Sequence, residues 1–287
     1  MSASVKSLVS TLTGRGPYRV LRGNLAIAGQ PGAVYTPETG RNLPAVAFGH
    51  GWLTGVSRYR GLLEHLASWG IVAAAPDTER GPVPSHLDLA TDLRTTLDIC
   101  SGVRLGDGTI SVHPDRLALA GHGMGAGAAV IAASQRRVAA IAALYPAHTA
   151  PSAERLAADG ALGDTPALIL AGSDFESVGS NALPLAAAWE GKSILRTLDG
   201  ATRNGLIEGR RLLSAVGTGK HESKTARTTR ALLTGYLLAT LNDDKTYRAF
   251  AEPDTDIPRT TLIDPHAPKD EEQPKLKVGQ LAKLLRS

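Results

Sequence analysis

The chain is expected to adopt an α/β fold, a mostly parallel central sheet with helices on both faces. Three observations lead there. Short apolar runs alternate with helix-period segments along most of the sequence, the pattern of repeated βα units. A length of 287 residues with 43% hydrophobic content is enough to bury one large core. Aromatic residues make up only 4%, while alanine and glycine are plentiful, which favours close packing of helices on a sheet through small side chains.

Taken in order, residues 1–19 form an N-terminal segment to which no element is assigned. Residues 20–35 are read as an antiparallel pair at the sheet edge, turned at Gly29-Gln30-Pro31-Gly32. The clearest strands are 43–48, 70–75, 116–120, 139–145, 167–171 and 193–198, each a compact apolar run. Helices are expected at 57–69, 85–101, 124–134, 181–190 and 224–241, several opening on a Ser, Asn or Asp that can cap. Only about 20 residues separate the strand ending near Tyr145 from the next, too few for a separate lid domain. The core domain is therefore set at 20–251.

From Glu252 the composition changes. Pro253, Pro258, Pro265, Pro268 and Pro274 punctuate a polar stretch expected to be an extended or disordered linker. Residues 275–287 turn basic and amphipathic, with Val278, Leu281 and Leu285 on one helical face. Two readings stand for that helix: it packs back on the domain, or it docks on a protein partner or an anionic surface.

Charge and cysteine content narrow the function classes. The net charge is only +4, and no basic patch is interleaved with aromatics, so nucleic acid is not an expected partner. The single cysteine, Cys100, excludes an internal disulfide and suits a reducing compartment. The N-terminus lacks the apolar core of a signal peptide, and no run approaches the roughly 18–20 apolar residues of a membrane span. A cytoplasmic location without a membrane span is expected. No cluster has metal-ligand spacing, and no cofactor is implied.

The chemistry-bearing motifs lie at strand ends. Leu117-Ala-Leu-Ala-Gly121-His-Gly123-Met-Gly125-Ala-Gly127 reads as strand, sharp turn and helix. A dinucleotide-binding turn, G-x-G-x-x-G, fits it poorly, because residue 126 is alanine, the motif is mid-chain and no acid lies in 137–145; its alanine-tolerant form remains open. Phe48-Gly-His-Gly51-Trp52 follows a strongly apolar strand. Leu168-Ile-Leu-Ala-Gly-Ser-Asp174 is a buried strand ending in a carboxylate, and Leu198-Asp-Gly-Ala-Thr-Arg203 follows the last clear strand. Asp77 and Glu79 follow the strand at 70–75, at a carboxyl end where α/β proteins place ligands, and are candidates for activating water. His221 is a candidate displaced base. Cys100, late in a helix, reads as a small buried apolar residue. His50 and His122 read as structural hydrogen-bonding residues.

In this order, the motifs resemble those of the lid-less α/β-hydrolases, the dienelactone hydrolase group and the related esterases akin to chlorophyllase, platelet-activating-factor acetylhydrolase and the polyester-degrading cutinases. The resemblance covers about residues 20–241. It implies that Gly121 and Gly125 are the outer glycines of the nucleophile elbow G-x-S-x-G, with Gly123 at the nucleophile position. It implies that Gly51 lets the backbone approach and that the backbone N–H groups of Trp52 and Met124 form an oxyanion hole. Asp174 becomes the triad acid. Arg203 stands where the family carries its histidine, and an arginine cannot accept a proton near neutral pH.

Nucleophile and base are thus both substituted. Losing either alone costs about 10⁶ in turnover in a serine hydrolase. The expected function is a non-hydrolytic relative that binds a small anionic or carbonyl ligand, or a protein partner. The alternatives are an ester hydrolase of altered mechanism, and a scaffold acting through 275–287.

Overall fold

The structure, a computed structural model, describes residues 4–209 and 221–267. The expected helix at 275–287 and the linker from 268 lie outside the described residues.

The chain forms a mixed α/β fold around a nine-stranded sheet. The strands are β1 (Val20–Asn24), β2 (Gly32–Pro37), β3 (Gly40–Gly49), β4 (Val72–Pro76), β5 (Ile110–His122), β6 (Ala140–Leu144), β7 (Ala167–Ala171), β8 (Ser193–Leu198) and β9 (Thr260–Ile263). Their order is β1-β2-β4-β3-β5-β6-β7-β8-β9. From β4 to β8 every neighbouring pair is parallel; the β1–β2 and β2–β4 pairs at one edge and the β8–β9 pair at the other are antiparallel.

The helices are α1 (Val5–Thr13), α2 (Arg60–Ser68), α3 (His86–Gly102), α4 (Met124–Gln135), α5 (Ala153–Ala158), α6 (Ala182–Ala187) and α7 (Ser223–Asn242). Side chains alternate along each inner strand, so both sheet faces are buried. Val46, Phe48, Ala118 and Ala120 join a core with Leu12 of α1, Leu62 of α2 and Leu232 of α7. Ala45, Ala47, Leu117 and Leu119 join a second core with Leu93 of α3, Val130 of α4 and Leu185 of α6.

Structure continues on both sides of the expected 20–251 core. Residues 1–19 contain α1, capped by the Ser4 hydroxyl, with Leu8 and Leu12 buried. The indole of Trp69 donates to the Gly14 carbonyl at 3.2 Å and fastens the segment to α2. At the other end, the expected linker does not begin at Glu252. Ile257 is buried, and β9 pairs Thr260 with Leu198 and Ile263 with Leu195. The cause is Arg196, a guanidinium only 2% exposed in mid-strand, which donates to the carbonyls of Pro253 at 3.0 Å and Thr255 at 2.6 Å. Those carbonyls satisfy a buried charge, and so the proline-rich stretch is held on the sheet.

α2 buries His65 at 7% exposure. Burial, reinforced by the charge of Arg230, lowers its pKa from 6.5 to about 4, with hydrogen bonding to the Leu12 backbone pulling the other way. The unfolded chain therefore takes up a proton near pH 6.5 and the folded chain only near 4. Stability contributed by the neutral ring is whole above that window and is lost as pH falls through it, by on the order of 3 kcal/mol at its lower end. Urea unfolding from pH 7 to 4 is expected to show a steeper loss in the wild type than in His65→Gln; equal slopes would refute it.

Candidate functional site

The strand order places the site. β4 lies on one side of β3 and β5 on the other, so the chain's crossover direction reverses at the β3–β5 pair. In open parallel sheets, the crevice outside the carboxyl ends of such a pair is where ligands bind. β3 ends at Gly49 and β5 at His122, and Gly49 is in register with Gly121. The two motifs that follow them, His50-Gly51-Trp52 and Gly123-Met124, therefore lie side by side.

Two glycines permit this approach. A Cβ on Gly121 would stand 2.1 Å from the Gly125 carbonyl oxygen, and one on Gly125 would stand 2.3 Å from the carbonyl carbon and oxygen of Gly49. The first turn of α4 packs backbone against backbone on the ends of β3 and β5. Gly123 differs. Its φ of 59° and ψ of −118° form a conformation nearly reserved to glycine, yet a Cβ there would meet nothing nearer than the Gly51 Cα at 3.8 Å. There is room for a Cβ at this position. Met124 opens α4, so its backbone N–H belongs to the first turn, where no intrahelical carbonyl accepts.

A buried chain of hydrogen bonds joins the loops. The Gly51 N–H donates to the Tyr59 hydroxyl at 3.0 Å, that hydroxyl lies 2.8 Å from His122 Nδ1, and His122 Nε2 lies 2.8 Å from the Arg203 carbonyl oxygen. A carbonyl only accepts, so Nε2 carries the proton and Nδ1 accepts from the tyrosine. The imidazole at 2% exposure thereby ties the loop after β3, the turn after β5 and the loop after β8 into one unit. His50 is fully buried, its Nδ1 3.0 Å from the Gly51 carbonyl and its Nε2 2.6 Å from that of Thr78. Both ring nitrogens face backbone acceptors.

Asp174 and Arg203 meet across the mouth. Arg203 Nη2 lies 3.5 Å from Asp174 Oδ2 and 3.3 Å from the Ser177 hydroxyl. Gly179 makes room for the guanidinium, since a Cβ there would fall 2.8 Å from Nη1. The loop beneath is braced by Glu222, which accepts from the Thr202 hydroxyl at 2.8 Å and from its N–H at 3.2 Å. Partial burial opposes ionisation of that carboxyl, but hydrogen bonds from Thr225 and Thr202 outweigh it and hold the pKa below the usual glutamate range.

The other candidates have different surroundings. Trp52 is 53% exposed, and its indole N–H donates to the Pro82 carbonyl at 3.0 Å. Asp77 accepts from the Val56 N–H at 2.9 Å and pairs with Arg80 at 3.3 Å. Glu79 accepts from the Ser85 N–H at 2.6 Å. These two partly exposed carboxylates are engaged in anchoring loops. His221 is exposed, and no contact among the described residues joins it to Asp174 or Arg203. Cys100 is buried in α3, where desolvation pushes its thiol up to about 12 and leaves it inert. No group of three metal-ligating side chains occurs among the described residues, and no helix there is long and apolar enough to cross a membrane.

Tyr59, Ser177, Gly179 and Glu222 are the members of the site that the sequence reading missed. No known protein-family profile matches the chain, nor does any curated protein.

Proposed function

We propose that this chain is a lid-less α/β-hydrolase-type protein, akin to the dienelactone hydrolase group, that binds a small anionic or carbonyl-bearing ligand without hydrolysing it. The observation carrying this reading is the turn at Gly123. It keeps the strained geometry and the open space of a nucleophile position while supplying no reactive atom. The arginine paired with Asp174 supports it from the other side, because a guanidinium can hold an anion but cannot take a proton from a nucleophile. In this reading the ligand oxygen lies against the N–H groups of Trp52 and Met124, and Arg203 faces its negative charge. The exposed side chains of Trp52 and Val178 offer apolar contact to the rest of the molecule.

A hydrolase of altered mechanism is the weaker reading, since Asp77 and Glu79 are each engaged by backbone N–H groups. Hydrolysis of p-nitrophenyl acetate and butyrate separates the two. The wild type is expected to release p-nitrophenolate no faster than buffer, and butyrate anion is expected to bind and to lose that binding in Arg203→Ala. Turnover above background that Asp174→Ala abolishes would instead make the protein an enzyme.

A further inference from the structure

Away from that site, a recess of about 480 Å³ opens between the end of α1, helix α2 and helix α7. Arg15, Arg60 and Arg230 line it, with Thr13, Glu64 and His65. Two buried polar atoms of these lining residues, the Arg230 Nε and the His65 Nε2, have no hydrogen-bond partner among the described residues. Buried polar groups in folded proteins are almost always satisfied. The neutral His65 ring donates to the Leu12 backbone and so leaves its Nε2 an acceptor, whereas the Arg230 Nε–H is a donor without an acceptor.

The charges say what kind of group. Arg60 Nε is matched to Glu64 at 2.7 Å and Arg230 Nη2 to Glu208 at 2.6 Å, so each carboxylate is already balanced. Arg60 retains its two terminal amino groups and Arg230 its Nε–H as donors. Arg15 makes no hydrogen bond or ion pair with any described residue. Three guanidiniums approaching from different elements suit a group with several divergent oxygens better than a planar carboxylate.

We propose that this recess is a binding site for a phosphate-type oxyanion, held by Arg15, Arg60 and Arg230 with His65 at its buried wall. The site is separate from the Asp174–Arg203 pair and does not depend on the function assigned to it.

Titration of the full chain with inorganic phosphate, by calorimetry and by the His65 ring resonances, tests it. Saturable binding is expected, with the His65 signals moving in step. Arg15→Ala, which breaks no contact with a described residue, is expected to weaken binding roughly tenfold, the worth of one charge-assisted hydrogen bond. Arg19→Ala removes an equal charge from an exposed side chain outside the recess and is expected to leave binding unchanged. The proposal is overturned if phosphate does not saturate, if Arg15→Ala and Arg19→Ala weaken it equally, or if Arg203→Ala abolishes binding while Arg15→Ala spares it.

Discussion

Gly125→Ala is expected to destabilise the protein by about 3 kcal/mol or more, enough to remove most of the stability of an ordinary domain. The added methyl carbon would lie 2.3 Å from the carbonyl carbon and oxygen of Gly49 and 2.5 Å from the His50 carbonyl oxygen. These are backbone atoms in a strand end and its loop, so no rotamer change clears them. Relief requires α4 to move off the sheet, which opens the tightly packed interface that carries Val130 and Ile131. Gly121→Ala is expected to behave alike, its Cβ falling 2.1 Å from the Gly125 carbonyl oxygen. Gly102→Ala, at the end of α3 with open space around it, supplies the contrast. It is expected to be neutral or stabilising by up to about 1 kcal/mol, through the unfolded chain. Urea denaturation of the three variants checks this. A Gly125→Ala protein as stable as Gly102→Ala would mean that the close approach of α4 is not needed by the fold.

The same glycines show how far the sequence could be read. Spacing alone marked 121–125 as a turn between strand and helix, because only glycine satisfies a backbone that approaches another backbone within van der Waals distance. The strands at 167–171 and 193–198 were equally plain, being short apolar runs buried on both faces. Helix α1 carried a readable signal, Val5, Leu8, Val9 and Leu12 at helical spacing behind a Ser cap, but it was short and rich in Ser and Thr. β9 was illegible for a different reason. Its four residues have no apolar run of their own and take their place from the pairing with β8 and from the guanidinium of Arg196, more than fifty residues earlier. Asp174 and Arg203 each lie in a loop after a recognisable strand, and the resemblance to the lid-less hydrolases singled them out there. The bond between Tyr59 and His122 was not, since 63 residues separate the partners and neither stands in a local pattern that announces the other. Local periodicity reports which face is buried; it does not report which polar groups a folded loop will bring together.

The double substitution Gly123→Ser with Arg203→His is expected to create ester hydrolysis where neither single change does. Gly123→Ser places a hydroxyl where the site has room, its Cβ at an ordinary 3.8 Å from the Gly51 Cα. The backbone there already has the required φ of 59°, and holding a residue with a Cβ in it costs about 1–3 kcal/mol of stability rather than a new fold. Alone, however, the hydroxyl gains no base from residue 203, because a guanidinium cannot accept a proton. Arg203→His supplies one. The loop that would present the imidazole is held through the Arg203 backbone carbonyl by His122, a contact that a side-chain change leaves in place. Asp174, now 3.5 Å from the guanidinium, is at hand to orient the ring. The serine oxygen then attacks the ester carbonyl as its proton passes to the imidazole, p-nitrophenolate departs, and water later hydrolyses the acyl-enzyme. A general base contributes about 10²–10⁴ to such a step, so the double variant is expected to exceed Gly123→Ser by about 10²-fold on p-nitrophenyl butyrate. Adding Asp174→Asn is expected to remove most of that gain. If the double variant folds, by circular dichroism, and is no faster than Gly123→Ser, then Arg203 does not occupy the position of a base. The proposed ligand site would then owe nothing to a disarmed triad, because the loop after β8 would not have carried its base.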